Sequence, residues 1–445
     1  MKKGKFTFVD LFAGLGGFHQ ALEQLGGECV FASELKEDLQ ELYKLNFPAT
    51  PVVVGDITIE ENIDSVPPHD VLCAGFPCQP FSQAGKRQGF KDEKDRGNLF
   101  NYICRIVKKR KPEIIFLENV ANLMGHDNGN TWETIYYKLH DQLGYDVRSE
   151  ILSPHQYGIP QHRKRIYIVC RLISLGGLDG FYFPPEESQK CDIRSVINES
   201  DNDVVSIKAE TKQQIDVWQE FINNLSAHGK AIPSFPIWAM EFGADYEFEG
   251  REPASRQPKA LIGKKGKFGR KIEGRTLKEC LLQLPVYAQK KSEEKKFPDW
   301  KKRYIRENRA LYQENREWID EWLKKVIDFE NSHLKFEWNC GEERNPSIKN
   351  KIVQFRASGI RVKKLDYSPA LNLIGTQIPI FPWITTKNGQ GRYMSWKEAA
   401  AIQGMQNIKW GNLPKSRRFE ALGNAVNVTI VKKIFEIVRL LYAKN

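Results

Sequence analysis

Val9-Asp10-Leu11-Phe12-Ala13-Gly14-Leu15-Gly16-Gly17-Phe18 carries an apolar run into closely spaced glycines and then into a helical pattern that continues to Leu25. A strand, a glycine turn and a helix in that order form the first β-turn-α of a nucleotide-type α/β site, where residues without Cβ let the backbone approach a ligand. A tight strand-to-helix connection also explains the glycines structurally, so the reading depends on what lies around them.

Outward from this stretch, short apolar runs at 6–9, 29–33, 52–54, 71–74, 114–117, 145–151 and 165–170 alternate with helical periodicity, as at 17–25 and 99–109. That alternation predicts a doubly wound, Rossmann-like α/β sheet. From about Pro184 the regularity fades into polar, lysine-rich and aromatic sequence, and an amphipathic pattern returns at 396–402 and 428–441. The expected organisation is a catalytic α/β domain over 1–185, a smaller variable domain over 186–390, and a segment 391–445 that rejoins the first domain.

The 445 residues carry a formal net charge of +11, which favours a polyanionic partner such as nucleic acid. The basic run 259–275 and the Lys/Glu-rich stretch 290–302 suit such a surface, although a charge run is also an ordinary solvated face. No apolar stretch reaches the length of a membrane span and no signal peptide is evident, which predicts a cytosolic protein. The 8 cysteines show neither Cys-x-x-Cys nor zinc-ligand spacing, so free thiols and no metal site are expected.

Glu34 closes the second apolar run about twenty residues after Gly14, placed to accept hydrogen bonds from a ribose diol. Asp56, followed by Ile57, closes the third, placed for an adenine amino group. The spacing departs from Gly-x-Gly-x-x-Gly, and Phe12 stands where a pyrophosphate loop takes a small residue. An adenosine without phosphates fits better, and S-adenosylmethionine is such a ligand.

Gly75-Phe76-Pro77-Cys78-Gln79-Pro80-Phe81-Ser82 places a cysteine between two prolines at the end of the fourth run. Proline on both sides disfavours continuing a strand or helix, so Cys78 belongs to a loop at the carboxyl edge of the sheet, where open α/β folds bind ligands. A buried, inert cysteine is the alternative. Glu118 and Asn119 end another strand, and Gln161-His162-Arg163-Lys164-Arg165 precede the next; singly, these are also a cap, a salt-bridge partner and surface charge.

Taken together, these blocks, with Gly423-Asn424-Ala425-Val426, resemble the DNA cytosine-5 methyltransferase family of the bacterial and phage restriction-modification type. The resemblance covers the chain to about Arg171 and its last fifty or so residues. The stretch from Ile360-Arg361-Val362 to Ser368-Pro369-Ala370-Leu371 is similar to the motif supporting the family's recognition region.

The resemblance implies methyl transfer from S-adenosylmethionine to C5 of cytosine in a specific double-stranded DNA sequence, with the base flipped out of the stack. It assigns Cys78 as the nucleophile toward C6, Glu118 as the acid at N3, Arg165 to orient Glu118 or the pyrimidine carbonyl, and Arg163 to stabilise the adduct. Phe12, Gly14, Gly16, Glu34, Asp56, Ile57, Leu99 and Asn424 fall to the cofactor, and Pro77, Gln79, Ser82, Asn119 and Gln161 to the substrate. The loop 82–98 would close as a lid, and two domains would clamp the duplex, read by a target-recognition domain. The family expectation is a monomer, either solitary or paired with a separately encoded restriction endonuclease. An RNA methyltransferase, an NAD-dependent oxidoreductase and a regulator without catalysis are the competing classes; the first motif's start at Asp10 speaks against an added amino-terminal regulatory domain.

Overall fold

A computed structural model describes residues 5–77, 99–371 and 377–442. By internal contacts the chain forms two units: Met1–Asn198 with Asp366–Leu373 and Ser395–Asn445, and Glu199–Leu365 with Ile374–Met394.

In the first unit the strands are β1 (Phe6–Leu11), β2 (Gly27–Ser33), β3 (Val53–Val54), β4 (Val71–Gly75), β5 (Ile114–Val120), β6 (Tyr145–Leu152), β7 (Gln161–His162) and β8 (Arg165–Leu172). Seven of them form one sheet in the order β3-β2-β1-β4-β5-β8-β6. From β3 to β5 the neighbours are parallel, and β8 runs antiparallel to both β5 and β6. Parallel strands covered on both faces read as continuous apolar runs, which is why the sequence locates them within a few residues. Helices α1 (Gly17–Glu23), α2 (Glu37–Asn46), α3 (Glu60–Ser65), α4 (Leu99–Arg110) and α5 (Asn130–Tyr137) connect the strands.

Alternation along each strand feeds two faces. Val9, Leu11, Leu72, Ala74, Ile115 and Leu117 share a core with Ile63 of α3, Phe100 and Ile103 of α4, and Ile135 of α5. On the other face Phe116 meets Phe18 of α1 at 5.1 Å between ring centres. Strand order reverses between β1 and β4, so their carboxyl ends part and open a crevice at the switch point.

The second unit holds α6 (Ala209–Ala227), α7 (Leu277–Leu282) and α8 (Asp299–Val326), with β9 (Ile237–Trp238), β10 (Lys335–Asn339), β11 (Ile352–Arg356) and β12 (Gly359–Lys363). In chain order β13 (Ser368–Pro369) comes next and pairs with β7 in the first unit, and β14 (Ile380–Thr386) and β15 (Gly389–Tyr393) complete the second. Its sheet runs β15-β14-β11-β12-β10-β9. Trp218 stacks on Phe336 at 4.8 Å and lies 5.0 Å from Trp322, giving an aromatic core.

The chain returns to the first unit as α9 (Trp396–Ile402), α10 (Lys415–Asn424) and α11 (Val428–Tyr442). Ser395 and Glu398 close a capping box at the start of α9. Phe435 of α11 sits 5.0 Å from Phe6, which places this last helix on the α1 face of the sheet. No helix among the described residues is long and apolar enough to cross a membrane.

Candidate active site

The crevice between β1 and β4 holds a cleft of ≈ 330 Å3 whose lining draws on eight separate stretches of chain. Phe12, Gly14, Glu34, Asp56, Ile57, Pro77, Leu99, Glu118, Asn119, Arg163, Arg165 and Asn424 all reach it, so most residues singled out in the sequence meet in one place. Cys78, Gln79, Ser82 and the loop 82–98 lie outside the described residues.

The first wall is built by backbone conformation. Phe12 sits at φ 57, a region that costs a non-glycine residue on the order of 1–3 kcal/mol. Its N–H donates to Ser33 Oγ at 3.4 Å. Gly14 has φ +54, and a Cβ there would meet no atom within 4 Å. The Gly14 N–H donates to Glu34 Oε2 at 2.9 Å, and Lys36 N–H donates to Glu34 Oε1 at 3.0 Å. Glu34 is thereby held at the end of β2 by the glycine turn on one side and its own chain on the other. Asp56 Oδ1 accepts the Thr58 N–H at 2.8 Å, a local turn that fixes its carboxylate beside Ile57.

Gly16, expected at the cofactor, does not line the cleft. At φ +72 its missing Cβ would stand 2.3 Å from the Phe47 ring, so this glycine serves close packing behind the turn. The two glycines of one motif thus do different work.

The opposite wall centres on Glu118, which is buried at the end of β5. Arg165 Nε lies 3.1 Å from Glu118 Oε1, within ion-pair reach. That oxygen nevertheless accepts no aligned hydrogen bond among the described residues. Burial pushes the Glu118 carboxyl up, opposed by the charges of Arg165 and then Arg163, and burial prevails. A carboxyl with a raised pKa and an open acceptor, facing a cleft, can hold and deliver a proton. Asn119 Nδ2 donates to the Phe76 carbonyl at 3.2 Å, tying this strand to the residues before Cys78.

Arg163 lines the cleft and also makes a contact on its other side. Its Nη1 donates to the Gly423 carbonyl at 2.7 Å and its Nη2 to the Ala425 carbonyl at 3.0 Å. The guanidinium fork therefore grips the turn that presents Asn424, in addition to facing the cleft. Ser153, outside the motifs that mark the site in the sequence, accepts the Arg163 N–H at 2.9 Å. Its signal was available, because Ser153-Pro154-His155-Gln156 is a capping-box sequence and forms that box.

Gln161 also lies off the cleft. It is fully buried in the β7–β13 pair, and neither polar atom of its amide finds a partner among the described residues.

The carboxyl-terminal turn closes the cleft by close approach. A Cβ at Gly17 would stand 2.4 Å from the Val426 carbonyl oxygen, and one at Gly75 would stand 3.0 Å from a Val426 methyl. Outside, Arg417 Nη2 pairs with Asp38 at 2.6 Å and Lys36 with Glu420 at 3.0 Å, anchoring α10 beside α2.

Among the described thiols, burial pushes Cys29 up to about 12, Cys104 up to about 11, and Cys73 and Cys170 well above the ordinary range. Thiols held so far from ionisation are poor nucleophiles. No group of three or more His, Cys, Asp or Glu side chains among the described residues is gathered to hold a metal ion.

Comparison with known proteins places this geometry. The family model for C-5 cytosine-specific DNA methylase matches residues 6–439, and the chain belongs to that family. It is 49% identical over 177 residues to the Type II methyltransferase M.HhaI of Haemophilus parahaemolyticus, covering 40% of this chain and 52% of that protein. To M.HpaII of Haemophilus parainfluenzae it is 48% identical over 182 residues, covering 40% and 49%. Those two matches span about half of each relative's length. A longer match, 28% identical over 496 residues, covers 97% of this chain and 91% of the Type II methyltransferase M.AluI of Cellulosimicrobium cellulans. Among solved structures, the Entamoeba histolytica methyltransferase EhMeth is similar in fold, with a TM-score of 0.50 at 16% identity over 98% of this chain and 99% of that one.

Proposed function

We propose that this protein transfers a methyl group from S-adenosylmethionine to C5 of cytosine within a specific double-stranded DNA sequence. It acts as a cytosolic monomer, either as the modification enzyme of a restriction-modification system or as a solitary methyltransferase. The observation that carries the reading is the meeting of Glu118 and Arg165 with Phe12, Glu34 and Asp56 in one cleft that also receives Pro77, the residue before Cys78.

The donor set fits S-adenosylmethionine. Glu34 offers a carboxylate at the end of β2 for the ribose diol, Asp56 and Ile57 suit the adenine, and Phe12 and Leu99 supply apolar walls. Open space beside Gly14 leaves room for the ligand to touch backbone. When bound, the cofactor supplies an electrophilic methyl group on a sulfonium.

Cytosine C5 is too weak a nucleophile to take that methyl unaided. The Cys78 thiolate adds to C6 while Glu118 protonates N3, which turns the ring into an enamine nucleophilic at C5. Arg165 holds Glu118 against the ring, and Asn119 steadies the strand end that leads to Cys78. After transfer, a base removes the C5 proton, the C6–S bond breaks to return the thiolate, and N3 gives its proton back to Glu118. A stacked cytosine cannot present C6 to this cleft, so the base is flipped, and contacts in the second unit offset the few kcal/mol of unstacking. The basic stretch 251–275 contributes phosphate contacts there.

The test is transfer of labelled methyl from S-adenosylmethionine to unmethylated duplex DNA by wild type and Cys78→Ser, followed by conversion sequencing. Label at C5 of cytosine in one recurring sequence, absent with the variant, is the expected result. Transfer to RNA alone, or to neither nucleic acid, refutes the proposal.

A further inference from the structure

Several cationic side chains of the second unit are matched with carboxylates. Arg256 pairs with Glu247, Arg306 with Glu249, Arg309 with Glu241, Lys325 with Glu220, and Arg356 and Arg361 with Glu337. Lys301 and Lys335 are different. Neither ammonium forms an ion pair or a hydrogen bond with any described residue, and both sit against one aromatic ring. Lys301 Nζ lies 5.5 Å from the centre of Tyr287, and Lys335 Nζ lies 5.7 Å from the same centre. Phe297 and Trp300 flank Lys301 at 4.8 and 5.5 Å, and Trp238 flanks Lys335 at 5.2 Å.

The two carboxylates whose charges act on these lysines also have other partners. Glu252 accepts hydrogen bonds from Ser255 and Ser292, and Glu337 is shared by Arg356 and Arg361. Tyr287 is itself fixed, because its hydroxyl donates to the buried carboxylate of Glu241. Burial lowers the pKa of both lysines, and the charge of Lys301 lowers that of Lys335 further. Two ammonium groups are therefore partly desolvated around one ring and repel each other, opposed by the charges of Glu252 and Glu337 but with no carboxylate among the described residues in ion-pair contact. Aromatic faces offer a weaker counter-charge than an anion and leave the N–H donors open. Beside them Trp300 is 51% exposed, an uncommon cost for an indole unless something covers it.

We infer that Lys301 and Lys335, held around Tyr287, form a seat for a backbone phosphate of the DNA duplex, with Trp300 packing against the adjoining sugar. The inference rests on the proposed DNA substrate and adds a contact outside the basic stretch 251–275. A phosphate oxygen between the two ammoniums removes their repulsion and fills their donors, and it carries no sequence information.

The experiment measures affinity of the full chain for a duplex containing its target, by fluorescence anisotropy at salt concentrations from roughly 50 to 200 mM, the range over which phosphate contacts reveal themselves. Lys301→Gln/Lys335→Gln is expected to reduce the slope of log affinity against log salt by about 0.9, the value for one phosphate. Lys301→Arg/Lys335→Arg keeps the charges and is expected to keep the slope. Thermal melting and S-adenosylmethionine binding verify that each variant is folded. An unchanged slope in the folded Gln variant overturns the proposal, as does an equal loss in the Arg variant, which indicates packing. Titration with inorganic phosphate alone separates the sources: binding lost in the Gln variant with no change in the DNA slope assigns the seat to a free anion and overturns the DNA assignment. If wild type binds duplex with the expected lysine-dependent slope yet methylates no cytosine, the phosphate seat stands and the proposed reaction falls.

Discussion

Replacing Arg163 by methionine separates two roles for that residue. The resemblance assigns it to the cytosine adduct, whereas the structure has its guanidinium donating to the carbonyls of Gly423 and Ala425 at 2.7 and 3.0 Å. Hydrogen bonds from a charged donor contribute about 1.5–3 kcal/mol each, so losing two removes at least about 3 kcal/mol from the turn that presents Asn424. If the cofactor has to restore that turn on binding, its affinity falls on the order of 100-fold. Removing the charge also raises the Glu118 carboxyl further, because Arg163 is one of the groups holding it down. Calorimetric titration with S-adenosylmethionine, in the absence of DNA, reads the first effect directly. Arg163→Lys, which offers a point charge instead of a fork, is expected to fall between the two. Affinity within about threefold of wild type, with the loss confined to the rate of transfer, refutes the argument and returns Arg163 to the cytosine.

Glu118→Gln keeps the shape and loses the proton, so single-turnover transfer is expected to fall by roughly 10²–10⁴ while cofactor affinity stays within a few-fold; equal loss of both refutes the acid role. Gly16→Ala forces a side chain into φ +72 and against the Phe47 ring, and thermal unfolding is expected to show a loss of at least about 1–3 kcal/mol; a melting temperature like that of wild type contradicts the packing role. Asp10 is buried without a partner for Oδ2 among the described residues, and burial raises its pKa well above the usual value. Its contribution to stability is therefore complete below the unfolded value of about 4 and is lost as pH rises through the folded one. The melting temperature of wild type relative to Asp10→Asn is expected to decline as pH increases from about 4, and parallel curves refute this.

What the sequence disclosed follows from which forces act locally. Strands β1, β4 and β5 are buried on both faces, so their apolar runs stand out, and the glycines and acidic residues that end them mark the sheet's carboxyl edge. Gly14 and Gly16 look alike in the chain because the difference between them, open space against the Phe47 ring, is set by a helix some thirty residues away. The grip of Arg163 was hidden for a related reason: its acceptors are backbone carbonyls, which every residue has. In the second unit the sequence shows variability and basic charge but not a sheet. Its strands are short, and although β10 and β12 each alternate, alternation within a strand does not say which strands pair, here in parallel over four residues.

The cleft is written at both extremes of the chain. Phe12 and Gly14 lie near its start, yet Asn424 and the Val426 carbonyl, against which Gly17 packs, come more than four hundred residues later. During synthesis from the amino terminus, the strands that end in Glu34 and Glu118 emerge well before the turn that encloses them. A nascent chain thus carries an unenclosed crevice until α10 and α11 have emerged. Completion of the cleft is a later step of folding than formation of the sheet, and it is set by the docking of α10 and α11.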